Sequence, residues 1–199
     1  MKNKILLLLA LITTAASAQQ SKDSIPNERR FSFSIKLGSY IQQIEENENH
    51  ITNEPSYSGA IIAEYRLFGN TSIETGFHQI DKISFSGLSY DSFKIPLTFS
   101  TDMTFNNNGS KPNTKIVASL GTYLRSITNL NNNTNLEYDE NSVFGFHASL
   151  GIKHDLSERA FVNLSFQVDR DFNDLLETEN SSIRIESGYG LFLGFGIRL

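Results

Sequence analysis

Residues 188–199 read GYGLFLGFGIRL. In an extended chain successive side chains point to opposite sides. Tyr189, Leu191, Leu193, Phe195, Ile197 and Leu199 therefore share one face, and Gly188, Gly190, Phe192, Gly194, Gly196 and Arg198 share the other. One face is continuous and apolar; the other is mostly glycine. In a soluble sheet such an apolar face is buried against a second layer, whereas in a transmembrane barrel it meets lipid and the small face lines the interior.

Working outward from this stretch, seven more period-two segments precede it, each about the 9–11 residues that a tilted membrane strand needs. They fall at about 30–40, 57–68, 71–83, 93–105, 115–126, 142–153 and 160–170. In the first, Phe31, Phe33, Ile35 and Leu37 oppose Ser32, Ser34, Lys36 and Gly38. In the seventh, Val162, Leu164, Phe166 and Val168 oppose Asn163, Ser165, Gln167 and Asp169. The connections alternate in character. The first (IQQIEENENHITNEPS), the fifth (SITNLNNNTNLEYDEN) and the seventh (DFNDLLETENSSIRIES) are long, and the third is about ten residues around Gly87. The second is only Gly69-Asn70, the fourth is NNNGSKPNT and the sixth is HDLSER. Outer-membrane barrels pair long external loops with short periplasmic turns. The fold expected is all-β: an eight-stranded antiparallel up-and-down transmembrane β-barrel over 30–199, in the bacterial outer membrane.

The N-terminal segment agrees. MKNKILLLLALITTAASAQQ has the basic start, short apolar core and small-residue cleavage site of a secretory signal, predicted over 1–18, with a polar flexible lead on the periplasmic side over 19–29. The chain has no cysteine, which removes disulfides and thiolate metal sites. A net charge of −5 argues against a nucleic-acid partner. After the signal no apolar run is long enough for a transmembrane helix. The mean hydropathy of −0.27 is compatible with strands that alternate between lipid and lumen.

Eight strands enclose an interior just wide enough to be filled by side chains. The inward set is polar and mixed in sign. Glu64, Arg66, Glu74, Asp102, Lys115, Lys153 and Arg198 are placed in its periplasmic half, with Arg66 near Glu74 and Asp102 near Lys115. Lone buried charges are costly, so an ion-pair network closing the lower lumen is expected. Further inward groups are Lys36, His78, Arg125, His147, Gln167 and Asp169. Tyr57, Tyr65, Phe68, Phe105, Phe161 and Tyr189 lie near strand ends, where aromatic girdles form.

Candidate chemistry is sparse. His147 and Ser149 share a strand face, a spacing used by some outer-membrane lipid A deacylases, but no acidic partner is evident and the pair is expected to face the lumen. The four histidines lack metal-ligand spacing, and the acidic loop residues lack an ordered calcium-ligand pattern. No cofactor, metal site or catalytic residue is predicted.

The signal ending in ASAQ, KIPLTF at 94–99, GLFLGFGIRL at 190–199 and the eight hairpin-linked strands resemble the PorT-like outer-membrane β-barrel proteins. At fold level they also resemble small OmpA/OmpX-type barrels. Leu199 stands where such barrels commonly carry an aromatic, and Tyr189 and Phe195 keep the register. The resemblance implies a non-enzymatic integral outer-membrane protein with a structural or surface-interaction role through its external loops. The partners expected are outer-membrane lipid, the barrel-assembly machinery and an extracellular or envelope protein. Three readings compete: a narrow channel or secretion-linked component, a lipid-modifying membrane enzyme, and a soluble lipocalin-like binder whose apolar face is internal.

Overall fold

The computed structural model describes residues 30–46, 49–53, 55–85, 88–104, 114–132, 139–140, 142–177 and 182–199. The signal and lead predicted over 1–29 lie outside the described residues, as does nearly all of the NNNGSKPNT connection. The strands are β1 (Phe31–Glu46), β2 (Asn49–Thr52), β3 (Ser56–Phe68), β4 (Thr71–Phe85), β5 (Leu88–Thr104), β6 (Thr114–Asn132), β7 (Asp139–Glu140), β8 (Val143–Asp155), β9 (Ala160–Asp171), β10 (Leu176–Glu177) and β11 (Ser182–Arg198). β1, β3, β4, β5, β6, β8, β9 and β11 pair in sequence order, each antiparallel to the next. β11 then pairs with β1, from Ser32 opposite Arg198 to Glu46 opposite Ile183. The sheet closes into an eight-stranded barrel, so the edge that would template aggregation is gone.

The apolar faces read from the sequence point outward. Ile35, Leu37, Ile61, Leu97, Phe99, Leu150, Leu191, Leu193 and Phe195 are all exposed, Leu193 by 64%. The facing residues Ser34, Lys36, Ile62, Thr98, Ser100 and Phe192 are buried. An aqueous protein does not expose so large a continuous apolar band, and a lipid-facing one requires it. The greasy interior of a soluble lipocalin-like binder is thereby excluded for this part of the barrel.

The glycines of the opening stretch have a packing role. A Cβ on Gly188 would lie 2.0 Å from the Tyr40 hydroxyl, and one on Gly196 would lie 2.2 Å from Cζ of Phe161. The far ends of the Tyr40 and Phe161 rings occupy the space over these positions and help to fill the lumen. Phe161, predicted in a girdle, is accordingly buried inside. Tyr57, Phe68 and Tyr189 do face outward, Tyr65 packs beside Phe31 with ring centroids 4.8 Å apart, and Phe105 lies outside the described residues.

The strands outrun the predicted spans mainly at the end opposite the Gly69-Asn70 turn, where β1, β5, β6 and β11 run five or six residues farther. The third connection is not a ten-residue loop: β4 and β5 continue until Phe85 pairs with Leu88. β2 folds back on β1, and β10 bridges β11 to β7. Here the inside becomes apolar. Ile44, Ile80, Ile83, Leu88, Tyr90, Val143, Ile183 and Ile185 form a buried cluster, joined by Leu175 and Leu176 from the β9–β11 connection. Leu175 N–H donates to Ile183 O at 2.7 Å, which holds that connection in the barrel mouth.

Irregular pairing accomplishes the change of face. The β1–β11 register shifts between Gln43 and Ile44, leaving Glu186 as an extra residue on β11. Odd-numbered Ile183 and Ile185 thus point inward while odd-numbered Tyr189 and Leu191 point outward, as a bulge dictates. In β4 the shift lies between Ile80 and Ile83, at Lys82 with φ of 53°, and in β6 Asn129 has φ of 54°. One carboxylate ties both sites: Asp91 accepts from Lys82 N–H at 2.8 Å and from Asn129 Nδ2 at 2.9 Å.

Candidate functional site

The inward side chains assemble in layers. At the end nearest Arg198, Arg66 Nη2 lies 3.0 Å from Asp102 Oδ2, and Lys115 Nζ lies 3.5 Å from the same oxygen. Lys153 Nζ lies 2.8 Å from Glu64 Oε2. Ser32 and Ser72 donate to the two Glu64 oxygens, each at 2.9 Å. Arg198 pairs with Asp155, which the sequence reading did not include. Lys153 Nζ sits 4.3 Å from the Phe161 ring centroid, and the Arg198 guanidinium carbon 5.0 Å from it, distances at which a cation is attracted to the ring face.

Arg66 does not meet Glu74. Glu74 stands opposite Glu64 in the β3–β4 register, and Ser72 stands opposite Arg66. Glu74 instead lines mid-lumen space together with Lys36. Small adjoining gaps lined by these two residues separate the lower layer from an upper one. Gln167 Oε1 and Ser165 Oγ are buried there without a partner among the described residues, so this polar space suits ordered water.

The upper layer centres on Asp169. It accepts from Tyr40 and Lys94, and His147 Nδ1 donates to its Oδ1 at 2.6 Å. Asp171 accepts from Tyr123 and lies 3.4 Å from Arg125 Nε. Two cations, Lys94 and Arg125, thus face two carboxylates, and the Tyr40 and Tyr123 hydroxyls donate to Asp169 and Asp171, while Asp171 Oδ2 and Arg125 Nε and Nη1 have no hydrogen-bond partner among the described residues. Arg125, Tyr40 and Asp169 are all 0% exposed. Such burial is tolerated only when every charge is paired. Sequence reasoning placed Arg125, His147 and Asp169 in the lumen but missed Lys94, Tyr40 and Asp171, which lie at or beyond the predicted strand ends. Their inward parity was the available signal.

Asp169 is the acidic partner for His147 that was not evident from sequence, because it comes from the neighbouring strand, directly across the β8–β9 ladder. Even so, no Ser-His-Asp relay forms. Ser149 Oγ is hydrogen-bonded to Ser119 Oγ at 2.6 Å, and both lie on the lumen face, away from lipid. A second pair, Ser58 Oγ and His78 Nε2 at 2.5 Å, has its hydroxyl donating to Gln79 O at 2.7 Å. Among the described residues no group of three or more His, Asp or Glu converges as a metal site.

No family model and no curated protein matches this chain. Solved structures do match in fold. Neisserial surface protein A superposes with a TM-score of 0.64 at 9% identity, covering 85% of this chain and 97% of that one. OprG from Pseudomonas aeruginosa gives 0.57 at 12% identity, over 86% and 97%. Ail, the attachment invasion locus protein of Yersinia pestis, gives 0.50 at 12% identity, over 84% and 98%. At these identities the likeness is one of fold. Together with the lipid-facing belt and the closed ladder, it defines an eight-stranded transmembrane β-barrel of the bacterial outer-membrane type.

Proposed function

We propose that this chain is a non-enzymatic outer-membrane barrel with a closed lumen, which anchors a folded extracellular end for a structural or surface-interaction role. The observation that carries this reading is the filled interior. A charged layer around Glu64 and Asp102, a second around Asp169 and an apolar roof built on Leu175 and Leu176 succeed one another along the axis. A conducting pore needs a continuous wet path, and rings of one sign confer ion selectivity. Here each layer mixes both signs and packs against aromatic rings.

On this reading the predicted network of Glu64, Arg66, Asp102, Lys115, Lys153 and Arg198 closes the periplasmic half, with Glu74 bordering the hydrated space above it. The signal over 1–18 is removed on export. The barrel-assembly machinery inserts the barrel, outer-membrane lipid surrounds it, and an extracellular or envelope protein meets the loop end. The names of two fold neighbours, a surface protein and an attachment protein, agree with such a role. Membership among PorT-like barrels, and with it a secretion-linked role, is the alternative, supported by the likeness of the KIPLTF and GLFLGFGIRL segments.

The test is two-part. Protein from isolated outer membranes is run on gels cold and boiled, and the purified barrel is reconstituted in planar bilayers. A mobility shift on boiling with no conductance steps is the expected result. Stable unitary conductance would replace the closed-barrel reading with the narrow channel, and release into the soluble periplasmic fraction would remove the membrane assignment altogether.

A further inference from the structure

We propose that the periplasmic mouth of the lumen is a receptor for a phosphate group. The mouth is an open recess whose polar wall consists of Arg30, Ser32, Glu64, Arg66, Lys153 and Arg198. Four of these are cations and one is a carboxylate. That carboxylate is already engaged, since Glu64 accepts from Ser32, Ser72 and Lys153. The carboxylates that pair with Arg66 and Arg198, Asp102 and Asp155, lie outside the wall of the recess.

The charges do not balance. Among the described residues that line this recess or pair with its wall, the cations Arg30, Arg66, Lys115, Lys153 and Arg198 outnumber their side-chain carboxylate partners Glu64, Asp102 and Asp155. Arg66 and Lys115 share one oxygen of Asp102. Arg30 has no carboxylate partner among the described residues. The upper layer, by contrast, sets two cations against two carboxylates. A wall in which cations predominate favours an anionic group such as phosphate. Lys153, 5% exposed, supplies a buried ammonium at the base of the recess, and three guanidinium groups supply the forked donors that suit phosphate oxygens. The phosphate is delivered either by a soluble periplasmic molecule or by a lipid headgroup. The inference rests on this geometry and not on the surface-interaction reading.

Pyrophosphate is the probe, titrated calorimetrically into the folded barrel in an uncharged detergent. Arg30→Gln combined with Arg66→Gln removes two wall cations while Lys115 keeps Asp102 paired, and folding is checked by the boiling shift. Affinity is expected to fall at least tenfold. Arg159→Gln, in the exposed β8–β9 turn outside the recess, is expected to bind as the parent does. Absence of binding by the parent, undiminished binding by the double variant, or an equal loss in Arg159→Gln would each overturn the proposal. If the double variant does not fold, Arg30→Gln alone, which lies before β1, is expected to lower affinity threefold or more, and an unchanged affinity overturns the proposal. In nanodiscs of phosphatidylcholine, displacement of pyrophosphate on adding phosphatidylglycerol identifies the headgroup as the source. Binding that is unaffected by the anionic lipid identifies a soluble phosphate.

Discussion

The two ends of one strand use the same alternation for opposite purposes. In the lower part of β1, Phe33, Ile35 and Leu37 face out and Ser34 and Lys36 face in; beyond Gln43, Ile44 is buried and Glu45 points outward. In β11 the contrast is sharper, because all its apolar residues except Phe192 have odd numbers and the bulge at Glu186 turns them from core to lipid face. The solvent outside decides which face may be greasy. Lipid rewards an apolar exterior, and the polar groups then gather inside as paired charges. Water rewards an apolar interior, and the same barrel becomes an ordinary hydrophobic core.

The largest expected effect comes from the buried charges. Asp169→Leu leaves Lys94 and His147 without their carboxylate, and is expected to cost about 3–5 kcal/mol in urea unfolding of the refolded barrel. A near-zero cost would mean that the upper layer is wet and loosely paired. One substitution made in both regions probes the contrast directly. Leu176→Ala opens a cavity under the roof and is expected to cost about 2–5 kcal/mol. Leu193→Ala, where fluid lipid refills the space, is expected to cost distinctly less; equal costs would break the comparison. Leu193→Arg places a charge near the middle of the outward belt and is expected to cost about 2–4 kcal/mol in bilayers. Gly188→Val drives a side chain into the Tyr40 hydroxyl and is expected to cost about 1–3 kcal/mol by overpacking.

The smallest effect is at the water-facing end, where Arg184 hydrogen-bonds Glu45 across β1 and β11. That bond holds the Glu45 carboxyl below its ordinary value of 4.5. A depressed carboxyl contributes stability above its unfolded value and loses it as pH falls through the folded one. The stability difference between the parent and Glu45→Gln is therefore expected to be small at neutral pH, to shrink as pH falls past 4.5 and to vanish only below the lowered value of the folded protein. A difference that persists at low pH would assign the effect to packing.

Much of the barrel was legible because period-two alternation depends only on the pleat. All eight barrel strands begin or end close to the predicted positions where their outward residues are apolar and their inward ones polar. Legibility failed where the pattern changed its meaning. SSIRIES read as loop because its isoleucines matched no lipid-facing span; in fact Ile183 and Ile185 are core. The bulges at Lys82 and Asn129 are invisible locally, since Asp91, which secures both, comes from β5, the strand that lies between β4 and β6. Charge positions were readable, partners less so. The Asp102–Lys115 pair joins adjacent strands and could be anticipated. Lys153 to Glu64 crosses the lumen from β8 to β3 and could not.

The sequence by itself determined the strand number, the lipid-facing belt and the polar interior, because side-chain alternation and bilayer thickness are local constraints on a strand. The tertiary structure decided which charges meet, where the inside turns apolar and how the external connections fold into the mouth. Those outcomes depend on barrel closure and on bulges that reset the register, and closure brings together residues far apart in the chain.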